Sequence, residues 1–169
     1  MLKIKFTKES ISKVHGVKEN RTAVRSGENI MIEHKYFICK TSWCINIVIY
    51  AEIANMDDAD FHSSAIKVVD GIWIKFSEKP MIEGEKFDNS DWPYLLTGLQ
   101  IVQNQILSNS IYRNTLIVIN SLQYSLCDFQ KEGLTAAIIE WASKAFNFKV
   151  PTINVRYERK INRYIFDFT

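Results

Sequence analysis

Between Trp43 and Ile53 the chain alternates without interruption. Trp43, Ile45, Ile47, Ile49, Ala51 and Ile53 fall on one face, and Cys44, Asn46, Val48, Tyr50 and Glu52 on the other. A period of two sustained this long belongs to a β-strand of about 35 Å, because a helix would scatter the isoleucines around its circumference. The second face carries Val48 and Tyr50 among polar residues and is therefore only partly wet. Such a strand needs neighbours on its edges and a cover for its apolar face, and the remaining sequence has to supply both. With 169 residues, 47% of them hydrophobic, there is material to do so. Area scaling for a chain of this mass puts about 70% of the unfolded surface inside, a core that needs no disulfide or metal.

Other periodic segments follow from the same reading. Leu2 to Phe6 alternates as a short strand, and Thr7 caps a short helix that would end at Gly16. Lys35 to Lys40 is a strand. Residues 65–76 read as two β-branched runs around Asp70-Gly71, a hairpin whose turn residues both call for positive φ. The competing reading is a helix from Asp57 to Gly71. A helix begins at Asp91 as cap with Pro93 in its first turn, and Leu95, Leu99, Val102 and Ile106 form its stripe as far as Ser108. Thr115 to Leu122 is apolar on both faces and suits a central strand. A second helix runs from Phe129 to Phe146. Leu134, Ala137, Ile138, Trp141, Ala145 and Phe148 face the core, Glu140 and Lys144 pair on the wet side, and Gly133 allows a close approach to the sheet. Residues 153–158 and 162–168 close the chain as a hairpin. The order predicts an α+β fold: a largely antiparallel sheet with two main helices packed on it, ending in a strand–helix–hairpin unit of split βαβ type. We read residues 1–169 as a single domain, and a division into two lobes would fall near 78–91.

Motifs for chemistry are sparse. His15, His34 and His62 are far apart, and neither a paired-histidine nor a paired-cysteine metal motif occurs. Cys39, Cys44 and Cys127 read as small apolar residues. Counting from Asp57, the glycine and glutamate positions of a calcium loop hold His62 and Val68. Ser125-Leu126-Cys127-Asp128 has nucleophilic residue types without a glycine elbow or a nearby histidine, and no phosphate-binding glycine loop is present. The expectation is therefore a protein without metal, cofactor or catalytic activity. No apolar run is long enough for a membrane helix and the N-terminus has no signal-peptide core, so the expected location is the cytoplasm, as a monomer or weak homodimer.

Charge distribution is more informative than net charge. The formal charge of +2 conceals a net −6 over residues 51–91 between flanks of +5 and +3. Acids in projecting loops steer a basic partner, and neighbouring aromatics supply anchors. The candidate partner-binding residues are Asp57, Asp58, Asp60, Phe61, Asp70, Trp73, Glu83, Glu85, Phe87, Asp88 and Trp92. A second candidate surface is the C-terminal hairpin, where Arg156, Tyr157, Arg159, Lys160, Arg163 and Tyr164 interleave cations with rings, as a nucleic-acid binder would.

The acidic stretch NMDDADF at 55–61, the loop EKPMIEGEKFDNSDW at 78–92, and the segment DFQKEGLTAAIIEWASKAF followed by INRYIFDF resemble the small immunity proteins of bacterial contact-dependent inhibition and other polymorphic toxin systems. The resemblance implies a cytosolic antidote that binds one cognate toxin, often a basic nuclease, and blocks its active site. The alternatives are a nucleic-acid-binding module built on the C-terminal hairpin and an enzyme whose site a single sequence does not reveal.

Overall fold

A computed structural model describes residues 30–40, 43–58, 64–78 and 89–168. The strand and helix expected in the first sixteen residues lie outside them. The long alternating run forms β2 (Cys44–Asn55), paired antiparallel with β1 (Ile32–Cys39) on one edge and β5 (Thr115–Tyr124) on the other. β3 (Ile66–Val69) and β4 (Ile72–Phe76) form the hairpin around Asp70-Gly71, and β4 joins β5 in parallel. The strand order is β1-β2-β5-β4-β3, which makes the doubly apolar β5 central, as its composition requires. The fold is α+β.

Three helices cover one face. α1 (Trp92–Ile101) and α2 (Gln103–Asn109) connect β4 to β5, and α3 (Glu132–Phe146) lies over β1 and β2. The stripe Leu95, Leu99, Val102 and Ile106 is fully buried, as are Leu134, Ala137, Ile138 and Trp141. Ala145 and Phe148 are half-buried against the same core. Two glycines set the spacing. A Cβ on Gly133 would stand 2.9 Å from Cγ2 of Ile45, so α3 rests almost directly on β2. A Cβ on Gly98 would collide with Ile138 and stand 2.8 Å from the Thr135 carbonyl oxygen, where α1 crosses α3.

Several expectations change. The single first helix is two, broken at Val102, whose φ of −106° and ψ of 15° interrupt the helix while its side chain keeps the buried phase. The second helix starts at Glu132, because residues 126–128 form a separate 3-10 turn. Only Gly71 of the hairpin turn has positive φ, at 87°, since a register shift between Lys67 and Val69 relaxes the demand on Asp70. Asp91 makes no capping hydrogen bond. It is buried, with Lys131 Nζ 3.0 Å from its Oδ1. β6 (Ile153–Glu158) and β7 (Arg163–Phe168) form their own two-stranded sheet and do not extend the main one, so the split βαβ reading gives way. The parallel crossover unit is instead β4–α1–α2–β5. The small sheet packs on the core through the buried Tyr164, whose hydroxyl donates to the Trp43 carbonyl at 2.7 Å. Gln130 clamps the Tyr164 backbone, donating to its carbonyl at 2.7 Å and accepting from its N–H at 2.9 Å. Among the described residues, no helix is long and apolar enough to cross a membrane.

Two predictions follow from the packing. Gly98→Ala gains helix propensity of about 1 kcal/mol, yet its methyl meets backbone oxygen. The variant is therefore expected to lose about 1–3 kcal/mol in urea denaturation, against a gain if the crossing were loose. Burial, then the charge of Glu140 and then Tyr164, hold the Tyr36 phenol well above the ordinary tyrosine value. The folded state favours the neutral phenol, so this contribution is intact below pH about 10 and is lost as pH rises further, when the unfolded chain ionises. Tyr36→Phe should flatten the alkaline fall in melting temperature, a difference readable by thermal melts across that range.

Candidate functional site

Strand register sorts the candidate residues. The C-terminal end of β2, the start of β5 and the β3–β4 turn meet at one end of the sheet. Asn55 and Ile72 both sit opposite Thr115, and Thr115 N–H donates to the Gly71 carbonyl at 2.9 Å. The exposed Asp57, Asp58 and Asp70 are thereby collected at this end from two separate turns. Asp57 and Asp58 are held by amides: Asn114 Nδ2 donates to Asp57 Oδ1 at 2.7 Å, and Asn55 Nδ2 to Asp58 Oδ1 at 3.4 Å. Asp70 is different. Lys67 bonds and pairs with it, holding its carboxyl below the usual carboxylate range.

Of the two described aromatic candidates, Trp73 follows Ile72 at this sheet end, and Trp92 packs at the other end of β4. Trp73 packs with Ala54, Met56, Leu116 and Val118 on the face away from the helices, while Trp92 stands edge-on to Phe76 on the helix face, with ring centroids 5.1 Å apart. Period-two alternation puts Trp73 and Phe76 of β4 on opposite faces of the sheet, so Trp73 and the Trp92 that packs on Phe76 do not line one surface. Asp60, Phe61, Glu83, Glu85, Phe87 and Asp88 lie outside the described residues.

Apolar surface at the same end of the sheet was not anticipated. A groove of about 320 Å³ opens between the ends of α2 and α3 and the strands β1 and β2, lined by Ile32, Ile53, Tyr112 and Phe146 with Ile30 and Ile111 at its rim. Ile111 is 87% exposed. The loop bearing it is braced: Ser110 Oγ and Thr115 Oγ1 are 2.6 Å apart, Tyr112 N–H donates to Ser110 Oγ at 3.1 Å, and Met56 N–H donates to the Asn114 carbonyl at 2.8 Å. The one signal in the sequence was a lone isoleucine in SIYRN, between a helix end and a strand.

The basic hairpin separates its cations from its rings. Val155 is paired with Phe166 and Tyr157 with Tyr164 on the inner side, while Arg156 and Arg163 occupy outer positions. Tyr164 is buried, and the Tyr157 hydroxyl donates to Asn162. Arg163 Nη2 reaches both oxygens of Glu132, at 2.9 and 3.2 Å, and Arg156 Nη1 is 3.1 Å from Glu158. The rings are occupied with the core and two cations with carboxylates, so base stacking from this hairpin lacks a platform.

Other polar clusters correct the sequence reading. Glu140 accepts His34 Nε2 at 2.9 Å, and Lys144 Nζ donates to the Glu33 carbonyl at 2.9 Å, so the expected Glu140–Lys144 pair is replaced by two contacts from α3 to β1. Among the described residues, no group of three or more His, Cys, Asp or Glu side chains could hold a metal. The cysteines are not buried apolar fillers. Cys39 and Cys44 are directly opposed in the β1–β2 ladder, with Cα atoms 4.2 Å apart, and form a disulfide; Cys127 is an exposed thiol. Their spacing of five was the visible trace of a hairpin whose register brings them together. No protein-family model matches the chain, and no curated protein matches it.

The bridge predicts a labelling pattern. Under native non-reducing conditions iodoacetamide should modify Cys127 alone, and after reduction all three cysteines. Closing so short a loop is worth about 2 kcal/mol in the chain-entropy account, so reduction should lower the melting temperature measurably. Labelling of three thiols before reduction would exclude the bridge.

Proposed function

We propose that the chain is a non-catalytic protein-binding inhibitor, an immunity protein that neutralises a cognate bacterial toxin by covering its active site. The observation carrying this reading is the gathering of Asp57, Asp58 and Asp70 from two turns to one sheet end, where asparagines, not cations, hold Asp57 and Asp58. Among the described residues Asp57 and Asp58 are in no ion pair, and projecting carboxylates of that kind favour a basic partner and act on encounter rate and partner choice. The partner is accordingly a basic toxin domain, a nuclease being the natural candidate. The inhibitor acts in the cytoplasm as a monomer or weak homodimer and needs no cofactor. In that reducing compartment the Cys39–Cys44 pair is expected to exchange with the thiol pool.

The nucleic-acid reading is the weaker one because the hairpin's rings face the core and Arg163 is bound to Glu132. Arg159 and Lys160 are exposed cations at its turn. The two readings rank variants oppositely. Asp57, Asp58 and Asp70 changed together to lysine should leave the fold intact, since exposed charges contribute little to stability. Association with the cognate toxin domain should slow by about tenfold at low salt and lose its salt dependence. Arg159 and Lys160 changed to glutamate should leave association unchanged. Stopped-flow or surface-plasmon kinetics at two salt concentrations decides between them; loss of binding in the second variant alone removes the acidic face from consideration.

A further inference from the structure

We infer that the Cys39–Cys44 bridge is an exchange site for low-molecular-weight thiols, and that opening it loosens the β6–β7 hairpin from its seat on the β1–β2 turn; this stands independently of the inhibitor reading.

The hairpin shares no ladder with the main sheet, so its place depends on side-chain packing and a few hydrogen bonds. Several of those bonds come from the two residues just inside the bridge. The Tyr164 hydroxyl donates to the Trp43 carbonyl at 2.7 Å and accepts from the Lys40 N–H at 2.9 Å. One side chain of the buried Tyr164 is thus held from both ends of the loop that the disulfide closes. Lys40 Nζ donates to the Val155 carbonyl on β6, and the Trp43 ring stands 5.9 Å from that of Tyr164. The Trp43 indole N–H donates to the Cys127 carbonyl at 3.0 Å, which ties the same loop to the turn ahead of α3. Cys39 and Cys44 form the last rung of the β1–β2 ladder. Chain segments at element ends fray at the low end of the range of local opening free energies. The covalent bond holds this rung closed and keeps the Lys40 N–H and the Trp43 carbonyl at the spacing the Tyr164 hydroxyl needs.

The bridge is also reachable. Ile38 and Ile45 pack on the helix-side core, so their neighbours Cys39 and Cys44 face the other side of the sheet, where Cys39 is exposed. The chemistry is a pair of exchanges. A small thiolate attacks Cys39 Sγ and forms a mixed disulfide, and Cys44 leaves as a thiolate that takes a proton from water. A second small thiolate attacks the mixed disulfide and releases Cys39. Two small thiols become one small disulfide for each bridge reduced, and the small disulfide drives the reverse.

The test uses the full-length protein with Cys127→Ser, which leaves one redox pair, equilibrated with mixtures of reduced and oxidised glutathione. Alkylation of free thiols and mass spectrometry read the bridged fraction. Docking and bridging favour each other, so each shifts the other by the same factor. Tyr164→Phe keeps the ring and removes the hydroxyl; its equilibrium constant for bridge formation should fall about tenfold. Lys40→Ala, at an exposed position that leaves folding intact, should lower the constant about threefold through the lost Val155 contact. Amide shift mapping of the bridged and reduced forms should show changes at Gln130, Val155 and Tyr164 as well as around the cysteines. Constants unchanged in the folded variants, shifts confined to β1 and β2, or a bridge that glutathione does not open would each overturn the inference. Loss of amide dispersion throughout the chain on reduction would also overturn it, since the bridge would then hold the whole fold and not the hairpin.

Discussion

β5 is apolar on both faces and hydrogen-bonded on both edges, antiparallel to β2 and parallel to β4. A strand that buries every side chain from Thr115 to Leu122 cannot sit at an edge, where its backbone would compete for water. Once it is central, the long β2 takes one side and the short β4 the other. The parallel β4–β5 pairing then obliges the chain to cross over, which is what α1 and α2 do. The same arrangement carries the β3–β4 turn, the end of β2 and the 110–114 loop to one end of the sheet. A central strand with strict partners thus determines which surface residues become neighbours.

β5 does not run without a fault. Tyr50 pairs with Ser121 and Ala51 with Ile119, leaving Asn120 as an extra residue. The bulge switches phase, so that Ile117 and Ile119 before it and Leu122 after it all reach the helix-side core. Asn120 stays buried with its Nδ2 unpaired. On the helix side, α3 is buried almost all round because β1 and β2 lie under it and α1 and α2 pack against it. Its polar groups therefore find specific partners. Thr135 Oγ1 donates to the Tyr94 carbonyl at 3.0 Å and Trp141 Nε1 to the Ile32 carbonyl at 3.1 Å, which ties the helix to α1 and to β1.

Local pairing decides which charges are available to a partner. A formal charge of +2 says little, because Arg163 is held by Glu132, Arg156 by Glu158 and Asp70 by Lys67. Among the described residues, the acids outside an ion pair at that sheet end are Asp57 and Asp58, which have neutral amide partners. Charge counted along the sequence overstates both the acidic segment and the basic hairpin, since neither count knows which cation lies across which carboxylate.

Periodicity by itself determined the inward faces of the long elements. The alternation from Trp43 to Ile53, the Leu95–Ile106 stripe and the Ile138–Trp141 phase all depend on geometry within a few residues, where side-chain direction follows directly from backbone repeat. The hairpin at Asp70-Gly71 was legible for the same reason, as was the central place of a strand apolar on both faces. Tertiary structure alone decided the rest. The break at Val102 leaves the apolar phase intact and so has no signature in it. The Cys39–Cys44 bridge depends on a register between two strands, and the splitting of Trp73 from Trp92 on which face each strand and helix shows to the sheet. The separation of the C-terminal rings from their cations depends on Tyr164 being drawn into a core that the rest of the chain builds. The groove at Ile111 is made from β1, β2, the 109–112 segment and α3, distant in sequence. No local pattern records it, because an apolar residue left outside looks in sequence like one meant for the inside.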